Sequence, residues 1–276
     1  MLMNNFVKRT LSGFLFVTLV IGSILLSQLT FVLFFALICG WAVFEFHKLS
    51  NKQPSITVNP WLSFLGAVLL FICSFISASH QWHYPVYPIY GFYVILVLIF
   101  ELYRKKQNPL HNWAYFILGQ VFIALPFSLL NFILFVDNWK PLILLSVFVT
   151  IWVNDTGAYL TGVTLGKHRM FERISPKKSW EGFVGGALAA ILSGYIFSLF
   201  IPQISLINWF LFSEIIVVFG TFGDLIESLM KRTLNVKDSG NVIPGHGGLL
   251  DRFDSMLLAA PAILIYLSFL FNQVVK

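Results

Sequence analysis

The chain has 276 residues, of which 58% are hydrophobic and 11% are charged, and its formal net charge is +6. Soluble domains contain roughly 45–50% apolar and about 25% charged residues, so this composition excludes an ordinary soluble fold. The two cysteines, Cys39 and Cys73, lie inside apolar runs, which favours buried apolar side chains over a disulfide.

Apolar runs long enough for transmembrane helices, which need about 20 residues each, follow one another along the chain. The nine candidate spans cover residues 10–27, 29–46, 61–79, 87–103, 113–136, 140–163, 182–201, 206–229 and 253–272. Lys8 and Arg9 precede the first run, and we interpret this run as an uncleaved span because no small-residue cleavage site follows it. The fifth run contains Pro126, which leaves open one kinked helix or two short segments.

Basic residues predict the orientation of these spans, because cytoplasmic loops carry an excess of Lys and Arg. With nine spans and a cytoplasmic N-terminus, all of the 18 basic residues except Lys140 and Lys276 lie on the cytoplasmic side. We therefore expect an all-α polytopic membrane protein with its catalytic loops facing the cytoplasm. Residues 1–140 would supply N-terminal transmembrane helices, and residues 141–276 would form the catalytic region. The basic face favours membrane lipids as partners, and we expect no nucleic acid.

Acidic residues concentrate in the second half of the chain, where nine of the 12 Asp and Glu follow residue 150. Asp224 and Glu227 are three residues apart in a predicted span, so a helix places both on one face. Asp251 and Asp254 repeat this spacing at the start of the last span. Carboxylates without His or Cys at zinc spacing favour a hard cation such as Mg²⁺. We predict that Asp224, Asp251 and Asp254 bind it; the alternative is simple ion pairing with neighbouring Lys and Arg.

Two polar strings supply groups that suit phosphate. Residues 237–248 form a glycine-punctuated turn, whose backbone N–H groups can cradle an anion. Residues 175–179 stand just before a predicted span, where positive charge and donors collect near a helix N-terminus; the alternative is that the lysines only anchor a helix end. The candidate substrate-binding residues are Asp155, Ser175, Pro176, Lys177, Lys178, Ser179, Lys237, Asp238, His246, Gly247, Gly248 and Arg252.

Two strings of residues resemble those of phosphatidate cytidylyltransferases. The first string, which resembles the signature of that family, consists of Ser228, Lys231, Arg232, Lys237, Asp238, Pro244, His246, Gly247, Gly248, Asp251, Arg252 and Asp254. The second string, which resembles another characteristic region of the family, consists of Asp155, Ala158, Tyr159, Gly162, Gly166, Lys167, Ile174, Ser175, Pro176, Lys178, Glu181 and Gly182. The resemblance covers about residues 150–260, and before that it is hydropathic only, so the first half adds spans and nothing diagnostic.

The resemblance implies condensation of CTP with phosphatidic acid to CDP-diacylglycerol and pyrophosphate, the committed step toward phospholipid head groups. In that reading the lipid phosphate attacks the α-phosphorus of CTP, assisted by Mg²⁺ and with a second cation such as K⁺ also considered. The implied catalytic residues are Asp224, Lys231, Arg232, Asp251 and Asp254. The resemblance further implies a homodimer in a bacterial cell (inner) membrane.

Two other functions remain open at this point. Another lipid-linked phosphotransferase is one, although the Asp-Gly-x-x-Ala-Arg string typical of CDP-alcohol phosphatidyltransferases does not occur. A secondary transporter is the other, although its polar residues would lie at mid-bilayer in two related halves. Of the remaining acidic residues near apolar runs, Glu45 and Glu101 are interpreted as interfacial ion pairs, and Glu214 is unexplained.

Overall fold

The structure is a computed structural model that describes residues 5–80, 84–236, 238–240 and 247–271, except for the side chains of residues 5, 6, 8 and 9. In chain order its elements are α1 Asn5–Leu26, α2 Gln28–Ser50, α3 Pro60–Ala78, α4 Tyr87–Tyr103, α5 Pro109–Gly119, a π-helix Gln120–Ala124, α6 Leu125–Leu134, α7 Pro141–Leu165, β1 Arg169–Phe171, β2 Ser175–Ser179, α8 Trp180–Phe200, α9 Leu206–Thr233, α10 Leu250–Phe253 and α11 Met256–Phe271. The predicted helical fold is confirmed. One addition is the antiparallel hairpin of β1 and β2, where the sequence suggested only a polar string.

Seven of the described helical segments are long and apolar enough to cross a membrane. They are Gln28–Ser50, Pro60–Ala78, Pro109–Leu134, Pro141–Leu165, Trp180–Phe200, Leu206–Thr233 and Leu250–Phe271. Two shorter apolar helices, Thr10–Leu26 and Tyr87–Tyr103, match the remaining predicted spans. Large apolar side chains such as Phe14 and Phe269 are 72% and 79% exposed, as a lipid-facing surface requires. The chain is an integral membrane protein, while the count of nine spans and their orientation stay predictions.

The fifth predicted span is one continuous helical segment rather than two. Between α5 and α6 the backbone widens into the π-helix Gln120–Ala124 just before Pro126, a local adjustment of the kind that accompanies proline in helices. The amide of Gln120 fixes this turn, because it donates to Ser63 O at 2.9 Å and accepts from Tyr90 Oη at 3.2 Å. The single helix keeps α6 in register with its neighbours.

Aromatic side chains pack four helices together beside the acidic residues. The ring of Phe253 in α10 lies 5.1 Å from that of Phe127, 6.2 Å from that of Phe148 and 6.4 Å from that of Phe35. All four rings are buried. Within a bilayer, van der Waals packing of this kind holds helices together, because lipid tails are as apolar as the side chains. This packing therefore holds in place the backbone around Phe253, which carries Asp251 and Asp254.

Small residues bring α7 and α8 into close contact. A Cβ atom added to Gly157 would lie 2.7 Å from Ala189 Cβ, and one added to Gly186 would lie 2.5 Å from Asn154 Oδ1. Only glycine allows the two backbones to approach this far, as at other small-residue helix crossings in membranes. The close crossing sets the hairpin that joins these helices beside the polar end of α7.

Candidate active site

Three carboxylates from two segments meet at one end of the helix bundle. One carboxylate oxygen each from Asp224 and Glu227 in α9 and from Asp254, just after α10, lie within 4.8 Å of one another. Asp224 accepts from Ser228 Oγ at 3.1 Å, and Asp254 accepts from its neighbour's backbone N–H, that of Ser255, at 2.7 Å. Glu227 is fully buried. The predicted shared face of Asp224 and Glu227 is confirmed, and we call these three residues the carboxylate cluster.

Glycine in α9 makes this meeting possible. A Cβ atom added to Gly223 would lie 2.6 Å from the carbonyl oxygen of Asp254 and 3.1 Å from that of Ser255. Helix α9 can therefore press directly against the turn between α10 and α11. The side chain next to Gly223, that of Asp224, is thereby held beside Asp254.

Asp251 lies beside the carboxylate cluster but has partners of its own. Its Oδ1 is 2.7 Å from Lys231 Nζ, while its Oδ2 accepts from the backbone N–H groups of Ser239 at 2.9 Å and Gly248 at 2.8 Å. Lys231 also lies 2.5 Å from Glu227 Oε2. Lys231 thus bridges the carboxylate cluster to Asp251. Through its two backbone hydrogen bonds, Asp251 joins Ser239 and Gly248, which lie at the two ends of the glycine-containing loop.

The hairpin places a lysine against the carboxylate cluster. Lys178 in β2 places its Nζ 2.6 Å from Asp224 Oδ2 and 3.4 Å from Thr221 O. The next residue, Ser179, caps α8 by accepting from Gly182 N–H at 3.1 Å. The predicted position of this string at a helix N-terminus is confirmed, and the cap fixes the strand that carries Lys178.

Two cavities open next to these groups, and Asp155 lines both. The larger, about 320 Å³, is also lined by Lys177, Lys178, Ser179 and Asp224. The smaller, about 200 Å³, is lined by Asp251, Arg252 and Asp254 together with Ser12, Gly13, Phe16 and Val17 of α1. Two separate spaces therefore border the same group of carboxylates.

The other predicted site residues are distributed around this centre. Ser175 is half-buried, Pro176 and Asp238 are exposed, and Gly248 is buried. Arg232 is exposed and donates through Nε to Ile174 O at 3.5 Å. Gly247 has a φ of +85°, a conformation that suits glycine. Lys237 and His246 lie outside the described residues.

The carboxylates at the site outnumber the ammonium groups that pair with them, so ion pairing alone does not account for the site. In the described part of the chain, Asp224, Glu227 and Asp251 share only two ammonium groups, those of Lys178 and Lys231, and Asp254 forms no salt bridge. Burying unpaired carboxylate charge at a membrane protein's helix ends is unfavourable. The excess negative charge, with an all-oxygen donor set, fits a hard divalent cation.

Two acidic residues in the site lie outside the predicted site set. Glu227 was visible through its spacing from Asp224, whereas Glu45 in α2 carried no such signal. Glu45 was expected to form an interfacial ion pair, whereas its hydrogen-bond partners among the described residues are Ser239 Oγ at 3.4 Å and Leu250 N–H at 3.1 Å. The same expectation for Glu101 is confirmed by Arg104 at 2.7 Å.

Comparison with known proteins gives a consistent result. A profile of the cytidylyltransferase family matches residues 7–270. The chain is 33% identical over 270 residues to the phosphatidate cytidylyltransferase of Bacillus subtilis (strain 168), covering 95% of this chain and 97% of that protein. It is 35% identical over 228 residues to the enzyme of the same name from Rickettsia bellii (strain RML369-C), covering 79% and 93%. Over 126 residues it is 45% identical to the Staphylococcus epidermidis (strain ATCC 12228 / FDA PCI 1200) enzyme of that name, covering 45% and 48%.

Proposed function

The chain belongs to the cytidylyltransferase family, and we propose that it is a phosphatidate cytidylyltransferase. Its substrates would be CTP and phosphatidic acid, and its products CDP-diacylglycerol and pyrophosphate. The observation that carries this proposal is the meeting of the carboxylate cluster, Lys178 and Lys231 beside two cavities in a membrane protein. One reactant is a nucleotide and the other a lipid, so the reaction requires phosphate-binding groups at a membrane site.

The reaction balances without a protein nucleophile. An oxygen of the phosphatidate phosphate forms a bond to the α-phosphorus of CTP, and the bond from that phosphorus to the bridging oxygen of pyrophosphate breaks. Because the lipid phosphate is already anionic, positioning and electrostatic stabilisation supply the rate. The charged groups around the carboxylate cluster are suited to that task.

A divalent cation such as Mg²⁺ fits Asp224, Glu227 and Asp254, each of which offers one carboxylate oxygen within 4.8 Å of those of the other two. When bound, such a cation neutralises the charge that gathers on the transferring phosphoryl group and the leaving group. The sequence also predicted Asp251 as a metal ligand, but both of its oxygens have protein partners, and we propose that the cation binds without it. A second cation such as K⁺ stays a prediction.

The chain's own charged side chains have distinct proposed tasks. Lys178 and Lys177 line the larger cavity and would bind the CTP phosphates. Lys231 holds Glu227 and Asp251 together, and exposed Arg232 remains a candidate phosphate ligand. Asp155, which lines both cavities, stands where the two substrates would meet.

The smaller cavity suits the lipid phosphate. Beside the carboxylates of Asp155, Asp251 and Asp254, it contains the cation Arg252 and the apolar side chains of Phe16 and Val17 on α1. Phe14, also on α1, is exposed. A phosphate that carries two acyl chains needs both kinds of surface. We assign this cavity to phosphatidic acid and the larger one to CTP.

The proposed setting is a bacterial inner membrane with the active site on the cytoplasmic side and two copies of the chain in a homodimer. The placement of basic residues near span ends supports this orientation. CTP is a cytoplasmic nucleotide, so the larger cavity would have to open to that side.

The test is an assay of the purified protein in detergent with phosphatidic acid and CTP labelled at its α-phosphorus, with and without Mg²⁺. We expect Mg²⁺-dependent transfer of the label into the lipid phase together with release of pyrophosphate. Folded protein that yields neither product would overturn the proposal. Transfer that persists in excess chelator would overturn only its metal dependence.

A further inference from the structure

Glu45, in the half of the chain where the sequence showed only spans, reaches the catalytic region. Glu45 is buried, with only 4% of its surface exposed. Its Oε2 accepts from Leu250 N–H at 3.1 Å and from Ser239 Oγ at 3.4 Å. These partners lie about 200 positions further along the chain. A carboxylate so deeply buried is unfavourable unless its hydrogen bonds are made.

The glycines of the loop allow this approach. A Cβ atom added to Gly240 would lie 2.5 Å from Glu45 Oε1, and one added to Gly248 would lie 2.6 Å from Oε2. Gly240 precedes the undescribed residues 241–246, and Gly248 follows them. Glu45 therefore contacts the backbone at both ends of the loop, and a side chain at either glycine would push it away.

The same two loop ends also contact Asp251. Ser239 gives its hydroxyl to Glu45 and its backbone N–H to Asp251, while Gly248 packs against Glu45 and donates its N–H to Asp251. The two carboxylates thus hold the loop ends between them. Leu250, the first residue of α10, has an N–H that no turn of its own helix can satisfy, and Glu45 accepts it.

We infer that Glu45 is a positioning residue for cytidylyl transfer, acting through Ser239 and Leu250 to set the place of Asp251 and of Gly240 and Gly248 at the described loop ends. Its hydrogen bonds go to protein groups, and it is not among the residues that line the two cavities. This inference rests on the proposed function, since it needs a measured transfer rate. The alternative is that Glu45 stabilises the junction of the two halves of the chain and does nothing for the reaction.

The experiment compares Glu45→Ala, Glu45→Gln and Glu101→Ala in detergent. Glu101 is the matched control, because it is also buried, at 7% exposed, and its hydrogen bonds go to Arg104 and Asn112 rather than to the loop ends. Thermal unfolding of each variant is measured first, then kcat and KM for CTP with phosphatidic acid in mixed micelles.

We expect Glu45→Ala to lower kcat by about 30-fold, in the range found when supporting partners of reactive groups are removed. Glu45→Gln keeps an acceptor oxygen and should recover most of that loss, with KM for CTP nearly unchanged in both. Glu101→Ala should unfold at a lower temperature yet keep its kcat.

Three results would overturn the inference: a Glu45→Ala kcat within about threefold of the wild type, an equal loss in Glu101→Ala, or a Glu45→Gln variant as slow as Glu45→Ala. If Glu45→Ala does not fold, Ser239→Ala decides, because it removes the hydroxyl that donates to Glu45 and keeps the backbone N–H that donates to Asp251. A Ser239→Ala kcat lowered by more than about threefold then supports the inference, and a kcat within that range of the wild type overturns it. A wild-type protein without activity would refute the proposed function instead, and the two failures are thus distinguishable.

Discussion

Two pairs of acidic residues have the same spacing in the sequence but different surroundings in the structure. Asp224 and Glu227 remain together on α9, whereas Asp251 and Asp254 separate. Asp254 joins the carboxylate cluster, and Asp251 turns to Lys231 and the loop. Asp254 directly follows α10 and keeps helical backbone angles, with φ −54° and ψ −49°, and both residues line the smaller cavity. A shared helical face therefore does not guarantee shared partners.

The largest expected effect follows from removing a charge of the carboxylate cluster. Asp254→Asn and Asp224→Asn should each lower turnover by about 1000-fold or more, because cation-assisted charge stabilisation contributes several kcal/mol. Turnover is measured with labelled CTP, and detergent-phase unfolding curves confirm that each variant is folded. Near-normal turnover in either variant would remove it from the proposed metal set.

Asp251→Asn should lower turnover by about 100-fold, through a different route. The substitution weakens the ion pair with Lys231 and the hydrogen bonds from Ser239 and Gly248, so these three residues lose their positions. Affinity for Mn²⁺, used in place of Mg²⁺, should stay within about threefold of the wild type. A tenfold weaker affinity would return Asp251 to the metal set, as the sequence predicted.

The two cavities should respond to different substitutions. Lys178→Gln should raise KM for CTP by about tenfold, and Arg252→Gln should raise KM for phosphatidic acid by a similar factor, since each removes one charge-assisted contact to a phosphate. Each variant is titrated with both substrates, so that the unaffected KM serves as an internal control. If both variants change the same KM, the assignment of the cavities is wrong.

The smallest expected effect on activity concerns the helix crossing that carries the hairpin. Gly186→Ala introduces a Cβ atom 2.5 Å from Asn154 Oδ1, and such overpacking destabilises by about 1–3 kcal/mol. We expect a lower unfolding temperature with turnover per folded molecule reduced by less than about threefold. Gly91→Ala is the matched control, because its Cβ would meet nothing within 4 Å, and its unfolding temperature should not fall.

Much of the fold could be predicted from hydropathy, because a membrane span is a local property of some 20 consecutive residues. The helix Pro109–Leu134 shows where this stops: the sequence revealed Pro126 as a disturbance, but the π-helix depends on Gln120 contacting α3 and α4. The hairpin was missed because its strands are polar and only three and five residues long.

The site was predictable where its residues are neighbours in the sequence and not where they are distant. Asp224 with Glu227, and Ser179 as a helix cap, follow from local spacing. The pairing of Lys178 with Asp224 joins residues 46 positions apart, and the contact of Glu45 with Leu250 spans 205 positions. Such contacts arise from helix packing, which no single segment of the chain encodes.

The most direct test of the cation assignment is Mn²⁺ binding, measured by electron paramagnetic resonance with CTP present and lipid substrate absent, so that no turnover occurs. The wild-type protein and Asp251→Asn should bind Mn²⁺ with similar affinity, and Asp254→Asn should bind it at least about tenfold more weakly. Wild-type affinity in Asp254→Asn would contradict the assignment of the cation to the carboxylate cluster.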